Sequence, residues 1–519
     1  MKKFLAAVVA FAALGLVSTF SASAQTPPNV LIVGQIAEPQ SLDPHAVSAT
    51  NDFRILVNVY DGLVRFKDGT LEVEPSLAES WTVSDDGKTY TFKLRQGVKF
   101  HDGSDFNAEA VKFNFDRMLD EKHPFYNTGP FPLSFNFSSV DTVNAIDENT
   151  VEFKLSEPFA PFLSNLAYPT GLIVSPAAVE QHGKEFGRHP SGTGPFKFAE
   201  WVSRQRVVVE RNADYWGGAP SLEAVVFRPI TDANTRVAEM MAGGLDVMVE
   251  VPPDNVAVFG NDPNFKVEQQ PGPHVWFTIL NTKEGAFADK KVRQAANYAV
   301  NKQGLVDNIL QGTATVAAGP IPPAFEWASD PSVEPYPYDP EKAKALLKEA
   351  GNENPEITFY VTEGGSGMLD PVTMGTAIQA DLDKVGFKTK IETYEWNAYL
   401  ARVNKGLGTT DMAEMAWMTN DPDTVPYLTL RSDALPDKGG FNSGYYSNPE
   451  VDDLLEKARR STDQAERGEL YKKVQAIVHD DAPWLFVANW KQSVVSTTFV
   501  EGLKLQPSFL LLLKDVQKP

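Results

Sequence analysis

From Gln25 to the C-terminus the chain runs for about 495 residues without an internal repeat, a low-complexity linker or a cysteine. That continuity constrains the fold more than any single motif. One hydrophobic core stops growing at roughly half this length, so two or three domains are required. With no linker to separate them, the domains must share the chain by excursion and return. Without cysteine there is neither a disulfide nor a thiolate metal site to staple them.

The residues before Gln25, MKKFLAAVVAFAALGLVSTFSASA, have the three parts of an export signal. Lys2 and Lys3 come first, an apolar stretch runs from Phe4 to Val17, and Ala22-Ser23-Ala24 forms a small-residue cleavage pattern. Cleavage is expected after Ala24. The apolar stretch is shorter than the roughly twenty residues of a spanning helix, and no later segment reaches that length. With no cysteine available for lipidation, the expectation is a freely diffusing periplasmic protein. The formal charge of −21 becomes −23 when the two leader lysines are removed. This acidity favours solubility and does not identify a cationic ligand. No basic run is present to neutralise phosphates, so nucleic acid is not an expected partner.

The first 260 residues read mainly as strands and turns. Tyr90, Phe92 and Leu94 alternate with polar residues, the period of a half-buried strand. Residues 150–155 repeat that alternation, and 206–210 read as a more fully buried strand. One clear helix interrupts them, capped by Asn107 and carrying the stripe Val111, Phe115, Met118 and Leu119. The second half alternates capped helices with strands. Asp289 precedes Val292, Ala295, Ala296 and Ala299; Asp339-Pro340 opens a helix that Gly351 stops; Asp370-Pro371 and Asn448-Pro449 repeat the start signal. Strands at 356–361 and 387–393 lie between, which makes this half α/β.

Enzymatic signatures fail on inspection. SGTGPFKF, residues 191–198, resembles a phosphate cradle, but Pro195 has no N–H to aim at an anion, and neither a Gly-Lys-Ser/Thr ending nor a third glycine follows. It reads as a turn in which Gly192 and Gly194 supply positive φ. The seven histidines show no metal-ligating spacing, so no metal site is expected. Gly364-Gly-Ser-Gly-Met368 lacks the final glycine of a nucleophile elbow. Asn420-Asp-Pro-Asp423 follows Trp417 at the end of an apparent buried strand, 413–419. A strand end beside an aromatic platform is a common ligand locus; an acidic turn with Trp417 in the core is the alternative.

Several segments, in chain order, together resemble the large periplasmic solute-binding proteins of the peptide/nickel/opine class, family 5, which includes dipeptide- and oligopeptide-binding proteins. They are Glu38-Pro-Gln-Ser-Leu-Asp-Pro44, Val59-Tyr-Asp-Gly-Leu63, Pro75-Ser-Leu-Ala-Glu-Ser-Trp81 and the run from Tyr90 to Gly103. Gly192-Thr-Gly-Pro-Phe196 with Arg211-Asn-Ala-Asp-Tyr-Trp216, Asp289 to Ala295, and Tyr446-Ser-Asn-Pro-Glu450 complete the set. The resemblance spans essentially the whole mature chain.

It implies an α/β, two-lobed periplasmic binding protein (type II, cluster C) with an extra domain inserted in the first lobe. Residues 25–57, 191–275 and 496–519 would build lobe I, 58–190 the extra domain and 276–495 lobe II. It further implies a monomeric, non-catalytic receptor without cofactors. Closure of its lobes on a small peptide or peptide-like solute would be read by the permease subunits of an ABC importer. An opine, a sugar conjugate or chelated nickel are the alternative solutes. A secreted hydrolase is the contrasting class, and it would need a nucleophile and base that the sequence does not present.

The implied cleft residues are Trp417, Met418, Thr419, Asn420 and Asp421, with Gly365, Ser366 and Gly367 from the glycine loop. Glu38, Ser41 and Leu42 are the expected contributions from lobe I, and Phe125 and Tyr126 those from the extra domain. Peptide-binding relatives commonly carry an aspartate three residues after the cleft tryptophan, where it pairs with the peptide amine. Here Asn420 takes that place and Asp421 follows it. Either Asp421 turns inward and keeps the amine contact, or neutral Asn420 suits a hydroxyl or amide.

Overall fold

The computed structural model describes residues 26–364 and 367–519. The leader with its cleavage position, and Gly365 and Ser366, lie outside the described residues. The central feature is a twelve-stranded sheet in two halves joined by the fourteen-residue strand Trp484–Thr497. On one side of the junction, Val30–Gln35 runs parallel to Ala224–Pro229 and to Val247–Val249. Arg206–Arg211 and Phe196–Val202 extend this half antiparallel. On the other side, His274–Leu280 pairs antiparallel with Met412–Met418, and Glu356–Thr362 runs parallel to Lys388–Tyr394.

The chain passes between the halves within two long ladders. Phe265–Pro271 pairs with residues 491–497 of Trp484–Thr497, and His274–Leu280 pairs with its first residues, 484–488. Between them, Pro271 and Pro273 lack donors and end the pairing, while Gly272 N–H donates to the Trp490 carbonyl at 3.1 Å. The expected boundaries at 275/276 and 495/496 fall inside the strands His274–Leu280 and Trp484–Thr497.

A separate four-stranded antiparallel sheet, Ala78–Val83, Thr89–Leu94, Thr150–Leu155 and Val140–Asp147, packs against the helix Ala108–Leu119. Its core is aromatic: Phe115 meets Phe153 edge to face at 4.8 Å, and Phe92 meets Phe153 at 5.6 Å. Such pairs add about 0.5–1.5 kcal/mol each beyond area burial.

Capping chemistry sets the helix starts that the sequence announces. Asn107 accepts from Ala110 N–H, Asp339 from Lys342 N–H, and Asn448 from Glu450 and Val451 N–H. Gly351, at φ +68, follows the helix Pro340–Glu349. The first 260 residues hold more helix than their pattern announces, including Thr50–Val59, Pro176–His182 and Ala233–Met241. Thr50–Val59 has no side-chain cap, and Asp52, Arg54 and Asn58 are buried along with its apolar residues. Its apolar residues Phe53, Leu56 and Val57 do fall at helical spacing, but Ala49 offers no capping side chain to announce the start.

The turn at Gly192 and Gly194 works differently from expectation, since neither residue has positive φ. Their requirement is close approach. A Cβ on Gly192 would lie 2.2 Å from the Val59 carbonyl oxygen, and one on Gly194 2.5 Å from the Val59 carbonyl carbon. The contact docks the turn on Asp61, which is buried and accepts from Thr193 Oγ1, Tyr215 Oη and Trp216 Nε1, each at 2.9 Å. Desolvation pushes the Asp61 pKa up, and these three donors oppose it. Gly192→Ala is expected to cost about 1–3 kcal/mol through overpacking against backbone, read as a lower melting temperature. An unchanged melting temperature would show that the turn can yield.

Candidate ligand-binding cleft

A cavity of about 620 Å³ lies where the helix Thr50–Val59, the end of Val247–Val249 and the strand Met412–Met418 approach one another. Seven aromatic side chains line it: Phe135, Tyr168, Trp396, Trp417, Phe441, Trp490 and Phe509. Met415, Ala416, Met418, Thr419 and Asn420 continue the wall on either side of Trp417, and Gly367 and Met368 face them.

The strand Met412–Met418 is buried at its start and half-buried at its end, so Trp417 is presented at the rim of the sheet. Along one edge it pairs with all of His274–Leu280. Along the other, the ladder to Glu356–Thr362 covers Met412 and Ala413 and then stops. At Glu414 that edge is closed, with Thr362 N–H on its carboxyl group and Tyr399 Oη on its carbonyl. From Met415 to Met418 it has no strand partner among the described residues, because the flanking chain leaves toward the glycine loop. Trp417 is braced edge to face by Phe441 at 5.2 Å.

Beneath this rim sit two buried titratable groups. His274 is shifted down to about 4 by desolvation, so its ring is neutral; its Nδ1 accepts from Trp490 N–H at 3.3 Å. Gly367 packs over this ring at φ +77, and a Cβ there would lie 2.8 Å from His274 Nε2. Glu414 is pushed up to about 8 by desolvation, with Thr362 N–H donating to it at 2.8 Å.

Of the sequence-derived site residues, Trp417, Met418, Thr419, Asn420 and Gly367 lie together on the cavity wall. Gly365 and Ser366 fall outside the described residues. Asp421 turns away from the cavity: its carboxylate accepts from Arg467 at 2.6 Å and from Ser164 Oγ at 3.1 Å, and it is 2% exposed. Asn420 faces the cavity, and its amide Nδ2 donates to Asn165 Oδ1 at 2.8 Å. The turn from 420 to 423 therefore meets the short helix Phe162–Ala167 across the mouth.

The remaining expected residues lie elsewhere for identifiable reasons. Glu38 accepts from Trp201 Nε1 at 2.8 Å, and Arg188 stacks on that indole at 3.4 Å. Leu42 is fully buried, held by Tyr60 Oη on its carbonyl, while the next residue, Asp43, pairs with buried Arg117. Ser41 hydrogen-bonds Asp43 N–H at 3.1 Å. Tyr126 stands at the surface against Phe131, and Phe125 packs on Phe113. The middle of the first loop is thus tied into the fold, and the loop reaches the cavity only through its ends, Ile36 and Ser48–Ala49, which lead into the helix Thr50–Val59.

That helix supplies what sequence reasoning missed. Arg54 lines the cavity, its Nη2 donating to Glu250 at 2.7 Å and its Nε to the Phe509 carbonyl at 3.0 Å. Arg54, Glu250 and the Trp490–Phe509 pair come from three widely separated segments, with Arg54 and Glu250 alone 196 positions apart, and no local signal unites them.

A two-half sheet, two strand crossings and an aromatic cleft define a two-lobed binding protein of the type II class. Sequence comparison gives the family. The chain matches the middle region of the bacterial extracellular solute-binding proteins, family 5, over residues 72–437. It is 37% identical to the heme-binding protein A of Haemophilus influenzae, over 83% of this chain and 81% of that protein. It is 35% identical to the glutathione-binding protein GsiB of Pectobacterium atrosepticum, over 92% and 91% respectively. The solved structure of HbpA2 from Haemophilus parasuis superposes with a TM-score of 0.87 at 31% identity, covering 94% of this chain and all of that one. The chain belongs to family 5, whose members are extracytoplasmic solute-binding components of ABC importers.

Two predictions concern the frame of this cleft. Asp421→Ala strands the Arg467 guanidinium, and breaking such a buried pair costs about 3–5 kcal/mol. Chemical denaturation should show that loss, whereas Asn420→Ala should change stability by no more than about 1 kcal/mol. Glu414 gives a pH signature. Its unfolded value is 4.5 and its folded value about 8, so the folded state binds the extra proton between them. Its contribution is therefore fully present below about 4.5, falls as pH rises through that window and is flat above about 8. Glu414→Gln should remove this decline, so that the stability difference from wild type grows with pH across the window; a constant difference would refute the assignment.

Proposed function

We propose that this protein is the receptor of an importer for small peptides or closely peptide-like solutes, which it encloses between two lobes. The observation that carries this reading is the unpartnered edge from Met415 to Met418 beside the cavity. An extended peptide satisfies such an edge by main-chain hydrogen bonds, while alternate side chains enter apolar pockets. The aromatic walls supply those pockets, and a cavity of about 620 Å³ suits a ligand of a few residues. The relative named as glutathione-binding is consistent with a peptide of that size.

In this reading lobe I comprises 25–57, 191–275 and 496–519, the extra domain 58–190, and lobe II 276–495. The two strand crossings act as the hinge. Trp417, Met418, Thr419, Asn420 and Gly367 touch ligand from lobe II. The Asn165–Asn420 hydrogen bond closes the mouth from the extra domain. Ligand that contacts both lobes stabilises the closed form by its differential contacts. The receptor works as a monomer, is released by cleavage after Ala24, and leaves its solute chemically unchanged.

The test is a thermal-shift and calorimetric screen of residues 25–519 against di- and tripeptides, opines, oligosaccharides and chelated nickel. A ligand at about a hundred times its dissociation constant stabilises the fold by about 2.7 kcal/mol. Peptides should bind, backbone N-methylation should abolish binding, and Trp417→Ala should weaken it by about thirtyfold or more, as loss of an aromatic anchor does. Response to an opine, sugar or nickel chelate with none to peptides would overturn the reading.

A further inference from the structure

The charges on the cavity wall are few and adjacent. Among the described lining residues, Arg54 and Glu250 carry the formal charges, and they sit 2.7 Å apart on the first-lobe side. Arg54 is 2% exposed, and its Nη1 is buried without a hydrogen-bond partner. Glu250 accepts through Oε1, and no hydrogen bond reaches its other oxygen among the described residues. A buried guanidinium with a spare donor is costly to leave unmatched.

Backbone strain is concentrated around the same pair. Glu250 at φ +53 and Phe509 at φ +63 are non-glycine residues in the left-handed region, and Arg54 bonds to both. Strain of this kind persists where surrounding structure enforces it, commonly at ligand clamps. On the opposite wall the position after the tryptophan rim is neutral Asn420, and Asp421 and Asp423 are committed to Arg467 and Arg459. No second carboxylate waits there for an ammonium among the described residues.

We propose that the Arg54–Glu250 pair is a head-group subsite for a solute bearing a free α-amino-acid head, with amine and carboxylate on one carbon. The carboxylate docks on Arg54 and the ammonium on the free oxygen of Glu250. Nη1 is shut from water, so docking on it requires a small displacement of the wall above it. A side-chain-linked peptide, such as a γ-glutamyl peptide, carries this head. An ordinary α-linked tripeptide separates its charged ends by roughly 10 Å, at about 3.3–3.6 Å per residue, and cannot place both on one pair. This inference rests on the peptide-receptor reading and narrows it.

The experiment is isothermal titration of the mature chain with γ-Glu-Ala-Gly, its isomer α-Glu-Ala-Gly, and N-acetyl-γ-Glu-Ala-Gly. The γ isomer should bind at least about tenfold more tightly than the other two, the equivalent of one charge-assisted hydrogen bond. Glu250→Gln should erase that preference, with the melting temperature of the unliganded variant checking its fold. The wild-type isomer comparison stands even if the variant does not fold. Equal affinity for the two isomers, or a preference that survives Glu250→Gln, would overturn the subsite. Binding of other peptides such as Ala-Ala-Ala without a γ preference would overturn it while sparing the receptor reading. No binding to any peptide would overturn both.

Discussion

The strand Trp484–Thr497 is the constraint on which the rest depends. Its first residues pair with His274–Leu280 and its last with Phe265–Pro271, so one fourteen-residue element belongs to both half-sheets. Each half can pack its own core because neither must supply both of this strand's ladders. The weak point is set by chemistry: Pro271 and Pro273 withhold N–H donors where the pairing changes partners. Trp490, His274 and Phe509 gather at that point, and all three also line the cavity. Hinge and cleft are thus built from the same residues, which ties closure to occupancy.

A second buried group explains why distant motifs occur together. Val59-Tyr-Asp-Gly-Leu63, Gly192-Thr-Gly-Pro-Phe196 and Arg211-Asn-Ala-Asp-Tyr-Trp216 look unrelated along the chain. In the fold they meet at Asp61, with Thr193, Tyr215 and Trp216 as its donors and the two glycines admitting the Val59 backbone. A carboxylate in this position is tolerated only while all its donors are present. The turn that resembles a phosphate cradle is therefore the seal of a structural hub.

Much of the architecture was legible in the sequence because the signals concerned were local. Asn107, Asp339 and Asn448 cap the helices they precede, and the alternation at Thr89–Leu94 is the inward face of an aromatic core. Thr50–Val59 was missed because Ala49 offers no capping side chain to mark its start, although Phe53, Leu56 and Val57 fall at helical spacing. The cavity wall divides in the same way. Trp417 to Asn420 could be found because a strand end, an aromatic and a turn coincide within a few residues. Arg54, Glu250 and Phe509 could not, since their meeting depends on the return of the C-terminal segment, where the Leu511 carbonyl accepts from Asn58 Nδ2 at 2.8 Å. Glu38, Ser41 and Leu42 show the converse error: a motif held in place by Arg117, Tyr60 and Trp201 marks scaffold as readily as site.

The electrostatics of the cleft also separate net charge from recognition. The chain is strongly acidic, at −21, yet its acids near the cavity are neutralised by pairing or by burial. Arg467 holds Asp421 and Arg459 holds Asp423, while desolvation keeps Glu414 protonated to about pH 8. The surface field governs solubility and encounter, but selectivity is decided where water is excluded and each unmatched charge is costly. There the wall offers one cation beside one anion, bordered by aromatic rings. A solute that brings only one charged group to this point leaves one member of that pair unanswered, whereas a compact zwitterionic head answers both. The selectivity of the cleft follows from this adjacency, because separating the two ligand charges along a peptide forfeits one of the contacts.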